Sequence, residues 1–249
     1  MKITRLMIAA LALVGIVRAV GATSIVYYDV GQVGTDEMQA ALNSLGSGFT
    51  VTDAASASAF QTDIASGTYN IGIFLVNSGS ASTYSDAINA LGTFAAGGGG
   101  AIFSDMSSSA TLDTQFGLSS YATTTGWTSF SLAGTLDSYL SGTTIAVTNP
   151  GYTTFATGVK SATSGHFLVG IAPGGATPII EGSTGKVFWN GFADGAVAGA
   201  DGVQLYRNEI LTAAGEPTSP VPLPASAWLM LSGLGGLFIF NRQRRTPTR

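Results

Sequence analysis

Apolar runs and amphipathic segments alternate over the first hundred residues of the chain. Residues 71–76 form a continuous apolar run of the kind that parallel sheets bury on both faces. Between such runs, apolar residues such as Met38, Leu42 and Leu45 recur at helical spacing. The predicted elements are strand 24–28, helix 36–45, strand 49–52, helix 56–65, strand 71–76, helix 83–96 and strand 101–104. This alternation predicts an α/β fold with a doubly wound, mostly parallel sheet and right-handed crossovers.

The middle of the chain departs from this pattern. Residues 107–164 are rich in Thr, Ser and Gly, and we predict an irregular β insertion there, with a short strand near 143–148 and a turn near 136–140. The alternation then returns, and the elements predicted after the insertion are strands 167–171, 178–181 and 186–192 and helix 202–213. The glycines at 97–100 end a helix instead of opening one, so they are not predicted to form a phosphate loop.

The first 22 residues have the pattern of a secretory signal peptide. Lys2 and Arg5 precede an uncharged apolar run over residues 6–17, and small residues follow up to Ala22. A basic start, an apolar core and a small-residue exit are the three parts of such a signal. We therefore predict a signal helix over residues 1–22, cleavage after Ala22 and export across a bacterial inner membrane.

The other end of the chain combines a Pro-rich motif, an apolar segment and an arginine cluster. Residues 225–240 carry no charge, and as a helix they would span about 24 Å. The arginines that follow favour the cytoplasmic side of a membrane. We therefore predict a transmembrane helix over residues 225–240 with an Arg-rich cytoplasmic end. The predicted sorting motif consists of Val221, Pro222, Leu223, Pro224, Ala225, Arg242, Arg244 and Arg245.

In order and chemistry, residues 220–249 resemble the PEP-CTERM sorting signal. The resemblance implies that an exosortase, a membrane transpeptidase of the cysteine type, is a partner that processes the tail. It also implies a link to exopolysaccharide or biofilm matrix, with a membrane-anchored intermediate before release to the outer surface. Leu223 stands where the family has a glutamate, which affects the expected position of the cut. An ordinary single-span anchor that is never processed is the alternative.

Charge and domain boundaries follow from the two ends. We predict a signal peptide over 1–22, an α/β domain over 23–214, a linker over 215–221 and a sorting signal over 222–249. Residues 23–219 contain all 14 acidic residues and three basic ones, a net charge of −11, whereas the whole chain carries −4. Such an acidic domain disfavours nucleic acid as a partner. The chain has no cysteine, which excludes disulfides, thiolate metal sites and a cysteine nucleophile.

The predicted domain has several stretches in common with a second family. Residues 69–76, 91–103, 185–192 and 205–215 look like the class I glutamine-amidotransferase-like superfamily in its ThuA-like branches. This resemblance implies a flavodoxin-like sandwich. In the true amidotransferases, a cysteine on a sharp turn after a central strand works with a histidine and a glutamate. Here the corresponding strand continues into Asp105, and the lack of any cysteine excludes that chemistry.

Polar residues at the ends of predicted strands form a candidate ligand site. Asp29, Asn77, Asp105 and Asn190 lie at or near such ends. In open α/β sheets the carboxyl edge is where ligands bind, although such residues also cap helices and close turns. His166 is the only histidine and opens a strand. We therefore predict no catalytic residue, no metal ligand and no cofactor.

These observations favour a non-enzymatic surface or matrix protein whose α/β domain is a structural or adhesion module. One alternative is a module that binds a carbohydrate or small ligand at the carboxyl edge of the sheet. A second is a divergent metal-dependent hydrolase, in which parallel strands bring Asp29 and Asp105 together. Asp194 and Asp201 are attributed to turns, because calcium loops need more oxygen ligands at closer spacing.

Overall fold

A seven-stranded sheet organises the computed structural model of the chain, which describes residues 22–32, 34–106, 110–119, 127–132, 144–151 and 156–216. The elements in chain order are β1 (Thr23–Val30), α1 (Glu37–Asn43), β2 (Phe49–Asp53), α2 (Ala57–Ala65), β3 (Ile71–Val76), α3 (Ser85–Ala96), β4 (Gly100–Asp105), α4 (Ala110–Asp113), β5 (Ser129–Ser131), β6 (Thr144–Ala146), β7 (His166–Val169), β8 (Ile179–Gly182), β9 (Val187–Asn190) and α5 (Ala200–Ala214). The strand order is β2-β1-β3-β4-β9-β8-β7, and β5 pairs with β6 separately. The first five strands in this order run parallel, whereas β8 is antiparallel to both of its neighbours.

Both predicted end segments lie outside the described residues. These are the signal helix and the transmembrane helix over 225–240, and the turn near 136–140 lies outside them as well. Within the described part of the chain, no helix is both long enough and apolar enough to cross a membrane. The described residues all belong to one unit that ends at Glu216.

Two helical layers cover the two faces of the sheet. α1 packs against α5 on one face, and α2 packs against α3 on the other. Successive strand residues point to opposite faces, so Ile25 and Ile73 pack in the α1/α5 layer while Val26 and Phe74 pack in the α2/α3 layer. All residues of β3 and β4 are buried for the same reason. The structure thus confirms an α/β fold with a mostly parallel sheet.

The strand order reverses between β1 and β3. From β1 the chain crosses to β2 through α1 on one face, then returns through α2 on the other face to β3. The carboxyl ends of β1 and β3 lie side by side, with Asp29 level with Leu75 and Val30 level with Val76. Such a reversal opens a crevice at the carboxyl edge of an open sheet, where ligands bind.

The insertion contains a helix that the sequence pattern did not predict. α4 and the 3₁₀ turn Thr114–Phe116 follow β4. Phe116 is fully buried and packs against Phe103 of β4, with ring centroids 4.6 Å apart. Ser and Thr are weak helix formers, so the local sequence gives little sign of this helix. A tertiary contact of one aromatic side chain holds the turn in place instead.

Candidate functional site

Asp29 and Asn77 meet where the strand order reverses. Asp29 is the penultimate residue of β1, and Asn77 directly follows β3. Asn77 Nδ2 donates a hydrogen bond to Asp29 Oδ1 at 2.7 Å. Asn77 Oδ1 accepts a hydrogen bond from the backbone N–H of Asp194, also at 2.7 Å. One buried amide therefore joins the end of β1 to the segment that follows β9.

Asp194 brings a second carboxyl group to this point. It begins the 3₁₀ turn Asp194–Ala196 and is fully buried. Its Oδ1 accepts a hydrogen bond from the backbone N–H of Met38, in the first turn of α1, at 3.0 Å. The Oδ2 atoms of Asp194 and Asp29 are buried and have no hydrogen-bond partner among the described residues. Each carboxyl group is thus oriented through one oxygen and keeps the other unpaired.

Two more carboxyl groups link α1 to α5 beside this pair. Asp36 caps α1 by accepting a hydrogen bond from the Gln39 N–H at 2.7 Å. Glu37 accepts hydrogen bonds from the Thr35 hydroxyl and, at 3.0 Å, from the N–H of Gly199, the residue before α5. The first N–H groups of a helix lack partners within the helix. Asp36 and Glu37 therefore have a structural role at two helix starts.

Burial separates the proton affinities of Asp29 and Asp194. Burial raises the pKa of Asp29 to about 6, although its hydrogen bond from Asn77 opposes the change. Burial, followed by the negative charges of Asp36 and Glu37, raises the pKa of Asp194 to about 8. At neutral pH the site therefore holds one mostly ionised carboxylate, Asp29, and one mostly protonated carboxyl group, Asp194.

Two tyrosines border the pair on the core side. Burial is the main cause that raises the pKa values of Tyr27 and Tyr206, and neighbouring carboxylates add to it. The Tyr206 hydroxyl faces Asp194, but neither phenol makes a hydrogen bond of full geometry within the described residues. Both stay neutral at physiological pH and can act only as uncharged donors or acceptors.

The other two predicted site residues lie apart from this pair. Asp105 is one register position beyond Asp29, so its side chain points to the opposite face of the sheet. The prediction that parallel strands bring these two carboxylates together is therefore wrong for their side chains. Asn190 shares the face of Asp29 but lies three strands away, roughly 14 Å at about 4.8 Å per strand. There its Nδ2 donates to Glu209 Oε2 at 2.9 Å.

Other candidate groups also lie away from the reversal point. His166 is on β7, at the far end of the sheet, where its Nδ1 is 3.0 Å from the Thr163 hydroxyl. Asp201 is exposed on α5, whereas Asp194 is buried, so they do not form one site. Across the described residues, no three His, Asp or Glu side chains are arranged to hold a metal ion.

Asp194 is the residue of the pair that the sequence analysis missed. The dipeptide Asp194-Gly195 is typical of a turn. Its neighbours Phe192, Ala193, Ala196 and Val197 are apolar and nearly all small. A lone carboxylate within such an apolar segment is the one sequence signal of burial, and only the packing of this segment against α1 shows what it contacts.

Comparison with solved structures relates this fold to that of a GMP synthase subunit from Thermoplasma acidophilum. The match has a TM-score of 0.54 at 13% sequence identity, and it covers 78% of this chain and 95% of that chain. Known protein families and curated proteins give no match. At this identity the likeness shows the fold alone, and it agrees with the predicted glutamine-amidotransferase-like domain. The comparisons give no support to the PEP-CTERM resemblance.

This finding contradicts the function predicted from the sequence. The prediction was a non-enzymatic structural or adhesion module, processed by an exosortase and linked to exopolysaccharide. The domain instead has a fold related to that of an enzyme component. The prediction gave too much weight to the two ends of the chain, because their patterns concern transport and carry no information about what the domain between them does.

Proposed function

We propose that the chain contains an enzyme-related domain with an acid–base site at the point where the strand order reverses. The observation that carries the proposal is the Asn77 amide, which binds Asp29 and the backbone of Asp194 at the same time. Cysteine-dependent glutaminase chemistry is excluded because the chain has no cysteine. Two carboxyl groups with separated pKa values support proton transfer to and from a small polar substrate.

The two carboxyl groups have different roles in this proposal. Asp29 is only partly buried, so it is the group that meets the substrate, and it accepts a proton above about pH 6. Asp194 keeps its proton up to about pH 8 and is the acid. Asn77 is a positioning residue, because it fixes Asp29 Oδ1 and leaves Oδ2 for the reaction.

Solvent deuterium incorporation tests the proposal across many compounds at once, so the substrate need not be chosen beforehand. The full-length protein is incubated in D₂O with a mixture of small polar metabolites, and mass spectrometry detects carbon-bound deuterium. We expect incorporation into at least one compound, and its loss in Asp29→Asn and Asp194→Asn. Asp63→Asn is the matched control, because Asp63 lies on α2, across the sheet.

The pH profile gives the second part of this test. The active form needs Asp29 ionised and Asp194 protonated, so the rate should be bell-shaped, with limbs near pH 6 and pH 8. Absence of any enzyme-dependent exchange, or a rate that is unchanged in Asp29→Asn, would contradict the proposal.

A further inference from the structure

A groove lies at the same edge of the sheet but on the opposite face. It has a volume of about 480 Å³ and runs between the first turns of α2 and α3. Small-molecule sites typically have volumes of roughly 300–1,000 Å³. The residues that matter for its chemistry are Tyr28, Ser56, Ser58, Gln61, Tyr84 and Asp86.

Aromatic rings form one wall of this groove. Tyr28 and Tyr84 both pack against Phe74, with ring centroids 5.4 and 6.1 Å away. Phe74 is in turn held by Phe60, whose ring centroid is 5.1 Å away. Both tyrosines are only partly buried, so packing fixes their rings while part of each remains open to the groove. A rigid aromatic wall of this kind favours stacking with a flat ring.

Polar groups beside the rings are available to a ligand. No hydrogen bond within the described residues engages the side chains of Tyr28, Gln61 or Tyr84. Gln61 offers a planar amide with both donors and an acceptor, and Asp86 offers an exposed carboxylate at the rim. A flat ring with hydrogen-bonding groups on its edge matches this combination.

Charge restricts the ligand further. Asp86 is the only charged residue that lines the groove among the described residues, and the domain around it carries −11. Both features disfavour an anionic ligand. They favour a neutral ring with an amino group, because a carboxylate accepts hydrogen bonds only.

We propose that this groove binds an amino-bearing nucleobase, free or as an uncharged nucleoside. The base stacks on Tyr84 or Tyr28, Gln61 reads its hydrogen-bonding edge, and Asp86 accepts from its exocyclic amino group. This proposal does not depend on the acid–base site, because the two sites use different residues on opposite faces of the sheet.

Titration of the full-length protein with adenosine and cytidine, followed by calorimetry, tests this inference. We expect saturable binding of both, weaker binding of adenosine monophosphate and no binding of ribose. Tyr84→Leu should weaken adenosine binding roughly tenfold or more, in line with the usual contribution of base stacking. Tyr69→Leu is the matched control, because Tyr69 is also partly buried but lies at the other edge of the sheet.

A second variant keeps the test decisive if Tyr84→Leu fails to fold. Ser58 is exposed on the first turn of α2 and lines the groove, so Ser58→Trp should fill the groove while leaving the core unchanged. Loss of adenosine binding in Ser58→Trp, with wild-type thermal stability, supports the proposal. Ribose binding alone, no nucleoside binding, or equal affinity in Ser58→Trp and wild type would overturn it.

Discussion

At the scale of single residues, Asn77 determines the geometry of the candidate site. Its amide makes two hydrogen bonds at 2.7 Å while only 1% of the residue is exposed. An amide can donate and accept at once, and this lets one side chain serve a carboxylate on one side and a backbone N–H on the other. A carboxylate at this position would repel Asp29 instead of binding it.

Replacement of Asn77 by alanine should therefore be costly. Asn77→Ala removes both hydrogen bonds and leaves the partner groups on Asp29 and Asp194 buried without them. We expect the free energy of unfolding to fall by about 2–4 kcal/mol, since each unpaired buried group costs ~1–3 kcal/mol. Urea denaturation measures the change. Asn43→Ala, at an exposed position of α1, is the control, and equal midpoints for both variants would show that the Asn77 bonds are not formed.

Asp194 makes stability depend on pH. Its pKa is about 8 in the folded protein against an ordinary 3.8, so the folded state holds the proton more tightly. The stability from this proton is complete below about pH 4 and is lost as the pH rises towards 8. We expect wild-type stability to decrease across that window and Asp194→Asn to flatten the curve, by an amount on the order of a few kcal/mol. Chemical denaturation at several pH values measures it, and Asp201→Asn should leave the slope unchanged.

Glu209 should show the same behaviour at a second site. Burial raises its pKa to about 8, although a hydrogen bond from Asn190 opposes the change. Glu209→Gln retains an oxygen that can accept from Asn190 but cannot ionise. We expect this variant to resist alkaline unfolding better than the wild type, as followed by circular dichroism from pH 7 upward. A variant that unfolds at the same pH as the wild type would show that Glu209 is not buried in solution.

At the scale of elements, β3 shows how closely the helices approach the sheet. Gly72 lies near the start of this strand, and a Cβ placed there would come within 2.6 Å of the side chains of Ile64 on α2 and Leu91 on α3. A glycine normally weakens a strand, so its presence here reflects the space that these two apolar side chains need.

Gly72→Ala should accordingly destabilise the domain. Overpacking of a close-packed core costs about 1–3 kcal/mol, and thermal unfolding should show a lower midpoint. Gly48→Ala is the control, because a Cβ there meets nothing within 4 Å and the position does not require a left-handed backbone. A neutral Gly72→Ala would mean that α2 and α3 can move away from the sheet without cost.

Most elements of the sheet could be predicted from apolar runs and helical spacing. β3 agrees with its predicted range, and α5 extends two residues before and one residue after the predicted 202–213. α4 could not be predicted, because the contact of Phe116 with Phe103 holds it and its own residues do not favour a helix. Periodicity detects elements whose burial repeats regularly, and a single anchoring side chain leaves no such period.

At the scale of the whole molecule, the predictions for the two ends are separate from the domain. Residues 1–22 and 222–249 remain predicted as export and anchoring segments, and nearly all of them lie outside the described residues. If the signal peptide is correct, the exported protein should begin at Thr23. Cell fractionation with N-terminal sequencing measures this. Leu11→Arg should block export by placing a charge in the apolar core, whereas Leu11→Val should not, and full-length protein in the cytoplasm would contradict the prediction.

The fold class and the loss of cysteine chemistry are properties that the sequence determines by itself. Burial periodicity is a local signal along the chain, and the absence of a residue type is certain from the sequence. Even the pairing of Asp29 with Asn77 was within reach, because parallel strands that end together bring their last residues to one edge.

Only the tertiary structure decided which of the strand-end residues act together. Asp105 and Asp29 are both near strand ends, yet a difference of one register position sends their side chains to opposite faces. Asp194 reaches the site because the segment after β9 folds back onto α1. Register and the path of a connecting segment depend on contacts between residues that are far apart in sequence, and for that reason local patterns do not encode them.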